Sequence, residues 1–364
     1  MFCFDLSRQT VVRIFVATLL LCIGLVTLSR AQVAFIKHDS LYISNVGKNG
    51  LERPIRVCRV WPTRSGESTD VQWTSDGQLA LVHNVDTYQH RRYGLTRNQD
   101  ISSLWLVKPQ ANQQPVWVVQ GNSIALCPDH NTVSYCTSSL DGDTWLFDIK
   151  SHTSRLVGHH WTNFIWSDDG KIVAFIALDR PQDFSQSVEI RTYPEMHLIR
   201  KLEPIVNPCD LKFSPDSKQL AIHYHLSRPL TGHTVVSVHG DSISLPKQPD
   251  QYAPAIINGW SPNGKWIACE WRTVDPNNDG SWNRCRIGLS SSDGTQCKEL
   301  GLGFAPVYSK DGESVLYLTD HRTGCRWNGN DLVMQSVRGG PIRTLATNVL
   351  AFAVRRNIAL KKLQ

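Results

Sequence analysis

Three guanidinium groups and one phenol lie within the short stretch from His90 to Arg97, at Arg91, Arg92, Tyr93 and Arg97. The planar fork of an arginine side chain matches carboxylate, sulfate and phosphate groups. The cluster therefore suits an anionic polymer or an acidic patch on a protein. A solvated loop without a ligand is the alternative interpretation of the same residues.

A second group of oxygen-bearing side chains lies at Asp275, Asn277 and Asp279, with the alternating spacing of a calcium-binding loop. An EF-hand places a bidentate glutamate at its twelfth position, whereas that position here is Arg286. We therefore predict no cofactor, and calcium at this loop is the alternative to a metal-free turn rich in Asx hydrogen bonds.

Histidines form the third candidate group. His223 and His225 alternate along one predicted strand and so share a face, and His233 follows in the adjoining predicted loop. Two imidazoles at this spacing can share a metal ion. However, no carboxylate partner is visible nearby, and a strand face with two polar side chains usually faces water. A catalytic metal site is therefore the alternative, not the leading interpretation.

Twelve tryptophans raise the question of carbohydrate stacking. Trp282 and Trp327 lie in long predicted loops and are the candidates for stacking on a ligand. Five others occupy repeat or strand positions and are expected in the core: Trp73, Trp166, Trp260, Trp266 and Trp271. Nucleophilic machinery is not indicated, because the sequence has no G-x-S-x-G elbow.

A repeated turn positions these candidates. Its best copy runs from Trp260 through Ser-Pro-Asn-Gly to Lys265, and an alternating strand follows to Trp271. Pro262 suits the first central position of a tight turn, and Gly264 suits a position with positive φ. Related copies start at Trp73, Leu126, Trp166, Phe213 and Tyr308. They lie 40 to 53 residues apart, a period typical of a β-propeller with one four-stranded blade per repeat.

The copies resemble the repeat of the TolB-type β-propeller family, which is related in plan to WD repeats and carries W-S-P-D-G-K followed by I-A-F. Val315–Gly324 and Asp331–Met334 extend the resemblance over about 320 residues. It implies an all-β fold but no single activity, because the family hosts unrelated functions. Lyases on related propellers use histidine clusters. TolB pairs its propeller with a sizeable N-terminal domain, but only about 40 residues precede the first full repeat here, so its transport role is not carried over.

The chain ends predict how the propeller closes. Val33–Ile36 and Leu41–Asn45 look like the second and third strands of a blade without a first strand, and Val349–Val354 is a lone strand. Joining them gives a ring of seven four-stranded blades closed by N- and C-terminal strands in one blade. Six blades with a stray terminal hairpin are the alternative.

Residues 1–31 have the features of a targeting segment. Arg8 and Arg13 precede an apolar run from Ile14 to Leu28, and a small-x-small site ends at Ala31. We predict a signal peptide, with an uncleaved signal anchor as the alternative, and a single propeller domain over 32–364. The protein is then exported and periplasmic, secreted or membrane-anchored facing outside.

The number of cysteines is consistent with an exported protein but does not determine which of them would pair in disulfides. Eight cysteines lie after residue 31, and we expect some of them to form disulfides, with buried free thiols as the alternative. A zinc site is not indicated, since no C-x-x-C occurs.

Charge excludes one class of partner. The net charge falls from +6 to +4 without residues 1–31, and no basic run with interleaved aromatics occurs, so nucleic acid is not expected. The leading function is a non-enzymatic binding or scaffolding module for a protein or an anionic glycan. A polysaccharide lyase or hydrolase is the alternative, and contact with a membrane is expected only through an uncleaved N-terminal segment.

Overall fold

The computed structural model describes residues 32–47, 50–60, 67–74, 76–85, 101–129, 131–137, 142–180, 185–202, 207–227, 230–249, 252–273, 285–319 and 330–355. Within these ranges the protein is all β, with antiparallel strands joined by turns and no α-helix. Among the described residues, none belongs to a helix that could cross a membrane.

The repeated turn folds in the same way in copy after copy. The Ser261 hydroxyl donates to Asn263 Oδ1 over 2.8 Å, and the backbone N–H groups of Lys265 and Trp266 donate back to Asn263 Oδ1 and Ser261 Oγ. Gly264 has φ of 70°. Equivalent serine–aspartate pairs close three further turns: Ser167–Asp169, Ser214–Asp216 and Ser309–Asp311. The predicted turn is therefore confirmed.

Ser217 occupies the turn position that glycine fills elsewhere, with φ of 60°. A left-handed conformation costs a residue with a Cβ roughly 1–2 kcal/mol, part of which is offset because glycine has more freedom in the unfolded chain. We expect Ser217→Gly to raise the free energy of unfolding by about 0.5 kcal/mol. The reciprocal Gly264→Ser should lower it by a similar amount, measured by urea denaturation. Equal stability of both variants and the wild type would contradict this account.

The strands group into four-stranded units. The first strands in the chain are β1 (Gln32–Lys37), β2 (Ser40–Gly47), β3 (Gly50–Leu51) and β4 (Ile55–Arg59). Unit 1 contains β5 (Glu67–Trp73), β6 (Leu79–Val85), β7 (Ile101–Val107) and the first part of β8 (Val116–Leu126). Unit 2 contains the second part of β8 with β9 (Thr132–Cys136), β10 (Asp143–Asp148) and β11 (Thr153–His159).

The remaining units follow the same order. Unit 3 contains β12 (Trp161–Trp166), β13 (Ile172–Arg180), β14 (Ser185–Thr192) and β15 (Leu198–Leu202). Unit 4 contains β16 (Pro208–Phe213), β17 (Gln219–Ser227), β18 (Leu230–Ser237) and β19 (Ile243–Ser244). Unit 5 contains β20 (Tyr252–Trp260), β21 (Trp266–Thr273), β22 (Cys285–Ser291) and β23 (Cys297–Leu302). Unit 6 contains β24 (Phe304–Tyr308), β25 (Ser314–Leu318), β26 (Asn330–Ser336) and the first part of β27 (Arg343–Val354).

The two ends of the chain share a sheet. From Val349 to Val354, β27 pairs with β1, and β1 pairs in turn with β2, which pairs with β4. We call β27's second part, β1, β2 and β4 the terminal unit. This is the mixed arrangement predicted from the sequence. The count of seven blades and the closure of a ring stay predictions.

Neighbouring units pack through apolar clusters and through the repeat tryptophans. Trp260 Nε1 donates to the Lys212 carbonyl of unit 4 over 3.0 Å, and Trp73 Nε1 donates to the Ala353 carbonyl of the terminal unit over 3.3 Å. Trp166 and Trp271 are buried, while Trp73 and Trp266 are half-buried against such clusters. The expectation that these five tryptophans belong to the core holds.

Arg355 ties the terminal unit to unit 1. Its guanidinium lies 5.1 Å from the Trp73 ring centre and donates to Gln32 Oε1 over 2.6 Å. We expect Arg355→Met to lower the free energy of unfolding by about 1 kcal/mol, because a cation–π contact and a charge-assisted hydrogen bond are lost together. Chemical denaturation would measure this, with Arg338→Met as control, since the Arg338 side chain is 84% exposed. An equal loss in both variants would contradict the assignment.

The expectation of disulfides is wrong for the cysteines that the structure describes. Seven of the eight are free thiols, and Cys325 lies outside the described residues. The thiols sit within the packed units, and burial raises the pKa of Cys58 to about 11 and that of Cys269 to about 12. Cys58 and Cys269 therefore behave as small apolar side chains of low reactivity.

Candidate functional site

The predicted ligand-binding residues lie outside the described part of the chain, but the strands that carry them are described. Arg91, Arg92, Tyr93 and Arg97 fall between β6 and β7. Asp275, Asn277, Asp279 and Trp282 fall between β21 and β22, and Trp327 falls between β25 and β26. Each connection joins the second and third strands of its unit. In a propeller such connections open on one side of the disc, which we call the long-loop face.

The opposite side, the turn face, carries the repeated turns. The polar side chains of these turns already form hydrogen bonds within their own turn. Asp169 Oδ1, for example, accepts hydrogen bonds from the Ser167 hydroxyl and the Lys171 backbone N–H. The turns in units 4, 5 and 6 use their side chains in the same way. Side chains committed to their own turns have few groups left for a ligand, so the long-loop face is the better candidate.

The histidines are arranged differently from the prediction. His233 lies in β18 rather than in a loop, directly opposite His223 of β17. Their ring centres are 4.8 Å apart and their planes meet at 69°. Both side chains are buried, so the expectation of a wet strand face is wrong at this position. His225 lies in β17 opposite Thr231, but its side chain falls outside what the structure describes.

The reason for this burial is the packing of unit 4 on unit 5. Ala221 and Val235 lie two residues before His223 and two residues after His233, on the same faces of their strands, and they pack in one cluster with Trp260 of unit 5. The imidazoles therefore face unit 5 rather than water.

A carboxylate lies on the same face of the sheet as the two histidines, on the neighbouring strand. Asp210 of β16 lies opposite His223, so Asp210, His223 and His233 follow one another across three strands on one face. We call these three residues the unit 4 polar row. Asp210 was not among the site residues predicted from the sequence. The hairpin turn aligns Phe213 with Leu220, and moving three residues along each strand from that pair gives the Asp210–His223 pair.

Burial sets the protonation of the row. It raises the pKa of Asp210, and Lys212 Nζ at 3.5 Å from the carboxylate opposes this shift. Burial also lowers the pKa of His233 well below its usual value, and the neighbouring His223 adds to the effect. The Nε2 atom of His233 has no hydrogen-bond partner among the described residues. The row thus contains a neutral imidazole, that of His233, and a carboxyl group whose pKa is raised by burial.

The described residues of the unit 4 polar row do not form a metal-binding site. Among the described residues, no set of three or more His, Cys, Asp and Glu side chains is arranged to hold a metal ion. Within the described residues the row therefore does not by itself form the metal site on which the lyase or hydrolase alternative depends.

A second buried carboxylate links units 5 and 6. Glu270 Oε1 accepts hydrogen bonds from the Ala305 backbone N–H over 2.8 Å and from Asn258 Nδ2 over 3.3 Å. Burial raises the pKa of Glu270. Because its partners are an inner-strand backbone group and an amide, Glu270 stabilises the packing of two units rather than a reaction.

Comparison with known proteins identifies the fold. No protein-family model matches the sequence, and no curated protein matches it. The β-propeller domain of the Trilobed protease from Pyrococcus furiosus matches at 10% identity with a TM-score of 0.51, over 79% of this chain and 89% of that one. An oligogalacturonate lyase in complex with manganese matches at 11% identity with a TM-score of 0.55, over 87% and 86% of the two chains.

TolB from Acinetobacter baumannii is also similar, at 14% identity with a TM-score of 0.47, over 79% of this chain and 82% of that one. Together with the four-stranded antiparallel units, the matches to the Trilobed protease domain and to the lyase confirm the predicted β-propeller fold.

Proposed function

We propose that this protein is an exported β-propeller that binds a protein or an anionic glycan on its long-loop face, without catalysing a reaction. The observation that carries the proposal is the contrast between the two faces. The described turns hydrogen-bond to themselves on one face, and β6, β21 and β25, the strands that precede the long connections in the sequence, end on the other.

The sequence of these connections suits an anionic ligand. Arg91, Arg92 and Arg97 supply forked donors for carboxylate or sulfate groups, and Tyr93 adds a phenol. Trp282 and Trp327 supply flat apolar rings for stacking on a sugar. The combination favours a glycan with acidic groups or an acidic patch on a protein.

Export is the second part of the proposal and rests on residues 1–31. Their positive start, apolar run and small-x-small site are typical of a secretory signal. Fusing alkaline phosphatase, which is active only after export, to the C-terminus would test this. Phosphatase activity that persists after deletion of residues 14–28 would contradict it.

Binding is tested with defined polyanions. The full chain is titrated with polygalacturonate and with dextran sulfate, and the Arg91→Ala/Arg92→Ala variant is compared with Arg338→Ala, a control on an exposed arginine of unit 6. We expect at least tenfold weaker binding in the double variant and no change in the control. Equal binding by both variants would overturn the assignment of the long-loop face for these probes. A protein partner would then be sought by crosslinking in the exporting cell.

The lyase or hydrolase alternative retains one observation in its favour, the contact between His223 and His233 beside Asp210. Metal analysis of the purified protein tests it. A tightly bound transition metal that is lost in His223→Ala, with cleavage of polygalacturonate, would replace the binding proposal. Melting in calcium and in chelator tests the Asp275 loop separately, because Asp275→Ala would abolish a calcium-dependent rise in the melting temperature.

A further inference from the structure

An exposed edge that is both apolar and basic lies where the terminal unit meets unit 1. We define the terminal rim as Arg53, Ile55, Arg56, Lys108, Val116 and Trp117. We propose that the terminal rim docks on an anionic lipid surface and turns the long-loop face away from the membrane. The proposal rests on the alternative in which residues 1–31 remain as an uncleaved signal anchor, and it does not depend on the ligand of the long-loop face.

The two halves of the terminal rim form one surface. The Gln113 backbone N–H donates to the Val57 carbonyl over 2.8 Å, so the connection leading to β8 runs along β4. Trp105 packs against the cluster that contains Val57, and Trp117 lies opposite Trp105 across β7 and β8. Since opposite residues of an antiparallel pair share a face, Trp117 is on the side of unit 1 that faces β4.

The apolar side chains of the rim are open to water. Ile55 is 49% exposed, Val116 is 65% exposed and Trp117 is 54% exposed. Aliphatic side chains near cations, with an indole among them, are typical of surfaces that lie in the interfacial region of a bilayer. This composition gives a lipid surface both an apolar and an electrostatic contact.

The charge of the rim is positive. Arg53, Arg56 and Lys108 are exposed, and Arg56 donates only to an uncharged hydroxyl, that of Ser40. Glu52 is half-buried, and its carboxylate accepts a hydrogen bond from Asn45. Exposed cations next to a membrane are attracted to anionic lipid headgroups, with roughly a fivefold gain in partition per charge.

The two ends of the described chain lie at the same edge. Gln32, the first described residue, lines a shallow hollow together with Arg53 and Ile55. Residue 32, which follows the predicted apolar run in the sequence, therefore lies beside the rim. The Arg355 backbone N–H donates to the Gln32 carbonyl, so the last described residue lies at the same place, and Lys361 and Lys362 follow it in the sequence.

A second exposed apolar edge, in unit 4, lacks the excess of positive charge found at the terminal rim. Ile243 and Leu245 of unit 4 are as exposed as the apolar residues of the rim, but they are flanked by one anion and one cation, Asp241 and Lys247. Charge complementarity thus distinguishes the terminal rim from the unit 4 edge, which serves as an internal reference.

The test uses the full chain inserted into nanodiscs of phosphatidylcholine, with or without phosphatidylglycerol, and hydrogen–deuterium exchange. We expect exchange in residues 53–59 and 113–120 to slow at least fivefold in the anionic discs only, while residues 238–245 exchange equally in both. Arg53→Glu/Arg56→Glu should return the rim to its exchange rate in neutral discs.

The matched control is Lys218→Glu/Lys265→Glu, which reverses two exposed cations on the turn face of units 4 and 5. It should keep the lipid-dependent protection. Equal exchange in both lipids, or an equal loss of protection in the control, would overturn the proposal. Protection that arises in detergent and grows with protein concentration would also overturn it, because it would assign the rim to a second copy of the chain.

Discussion

Replacing Trp260 with alanine is expected to lower the free energy of unfolding by about 3–5 kcal/mol, the usual cost of truncating a buried aromatic residue. Trp260 is buried between units 4 and 5, in one cluster with Ala221, Val235 and Ile267. Its indole N–H also satisfies the Lys212 carbonyl. The variant would leave both a cavity and an unpaired carbonyl, and the two losses add in the same direction.

Equilibrium urea denaturation measures this loss, with Trp117→Ala as the matched control. The control removes the same atoms from an exposed position and should cost less than about 1 kcal/mol. Trp260→Phe should fall between them, because it keeps most of the packing but not the hydrogen bond. If Trp117→Ala destabilised the protein as strongly as Trp260→Ala, the position of the repeat tryptophan would not explain its contribution.

Short-range features of the fold were predictable from the sequence. The turn from Ser261 to Gly264 depends on contacts within a few residues, and the serine, the asparagine and the glycine each have a local role there. The repeat then fixes which strand position carries Trp260, and so its burial follows from the period. The all-β fold was predicted correctly for this reason.

The polar row was harder to predict because it depends on contacts between strands. Pro229 and Gly232 favour a loop around His233, yet pairing with β17 provides the hydrogen bonds that make this segment a strand. Packing by unit 5 then buries His223 and His233. Neither effect is encoded near the histidines, whereas the Asp210–His223 register could have been obtained from the turn.

The arrangement of the two faces connects the proposals. The strands that precede the long connections end on one side of the disc, and Gln32 and Arg355, the first and last described residues, lie beside the terminal rim near the other side. A propeller held at the terminal rim would present its long-loop face to partners away from the bilayer. Variants in the rim should therefore change membrane contact without changing the affinity of the long-loop face for a polyanion.

Acidification is expected to destabilise the fold through His233. Its folded-state pKa is depressed by burial, so the unfolded chain takes up the proton first, near pH 6.5. The stability from a neutral His233 is therefore fully present above about pH 6.5 and is lost as the pH falls towards the folded-state pKa. For a single proton the slope cannot exceed about 1.4 kcal/mol per pH unit.

The wild type and His233→Asn are compared by urea denaturation from pH 8 to pH 5. The variant should be less stable than the wild type at pH 8, and the difference should shrink as the pH falls below about 6.5, by no more than about 1.4 kcal/mol per pH unit. Asp210, Asp70 and Glu270 have raised pKa values and act in the opposite sense near pH 4 and above, but they are present in both proteins and cancel in the difference. A difference that stays constant from pH 8 to pH 5 would show that folding leaves the proton affinity of His233 unchanged. His233 would then have no part in the acid sensitivity of the fold.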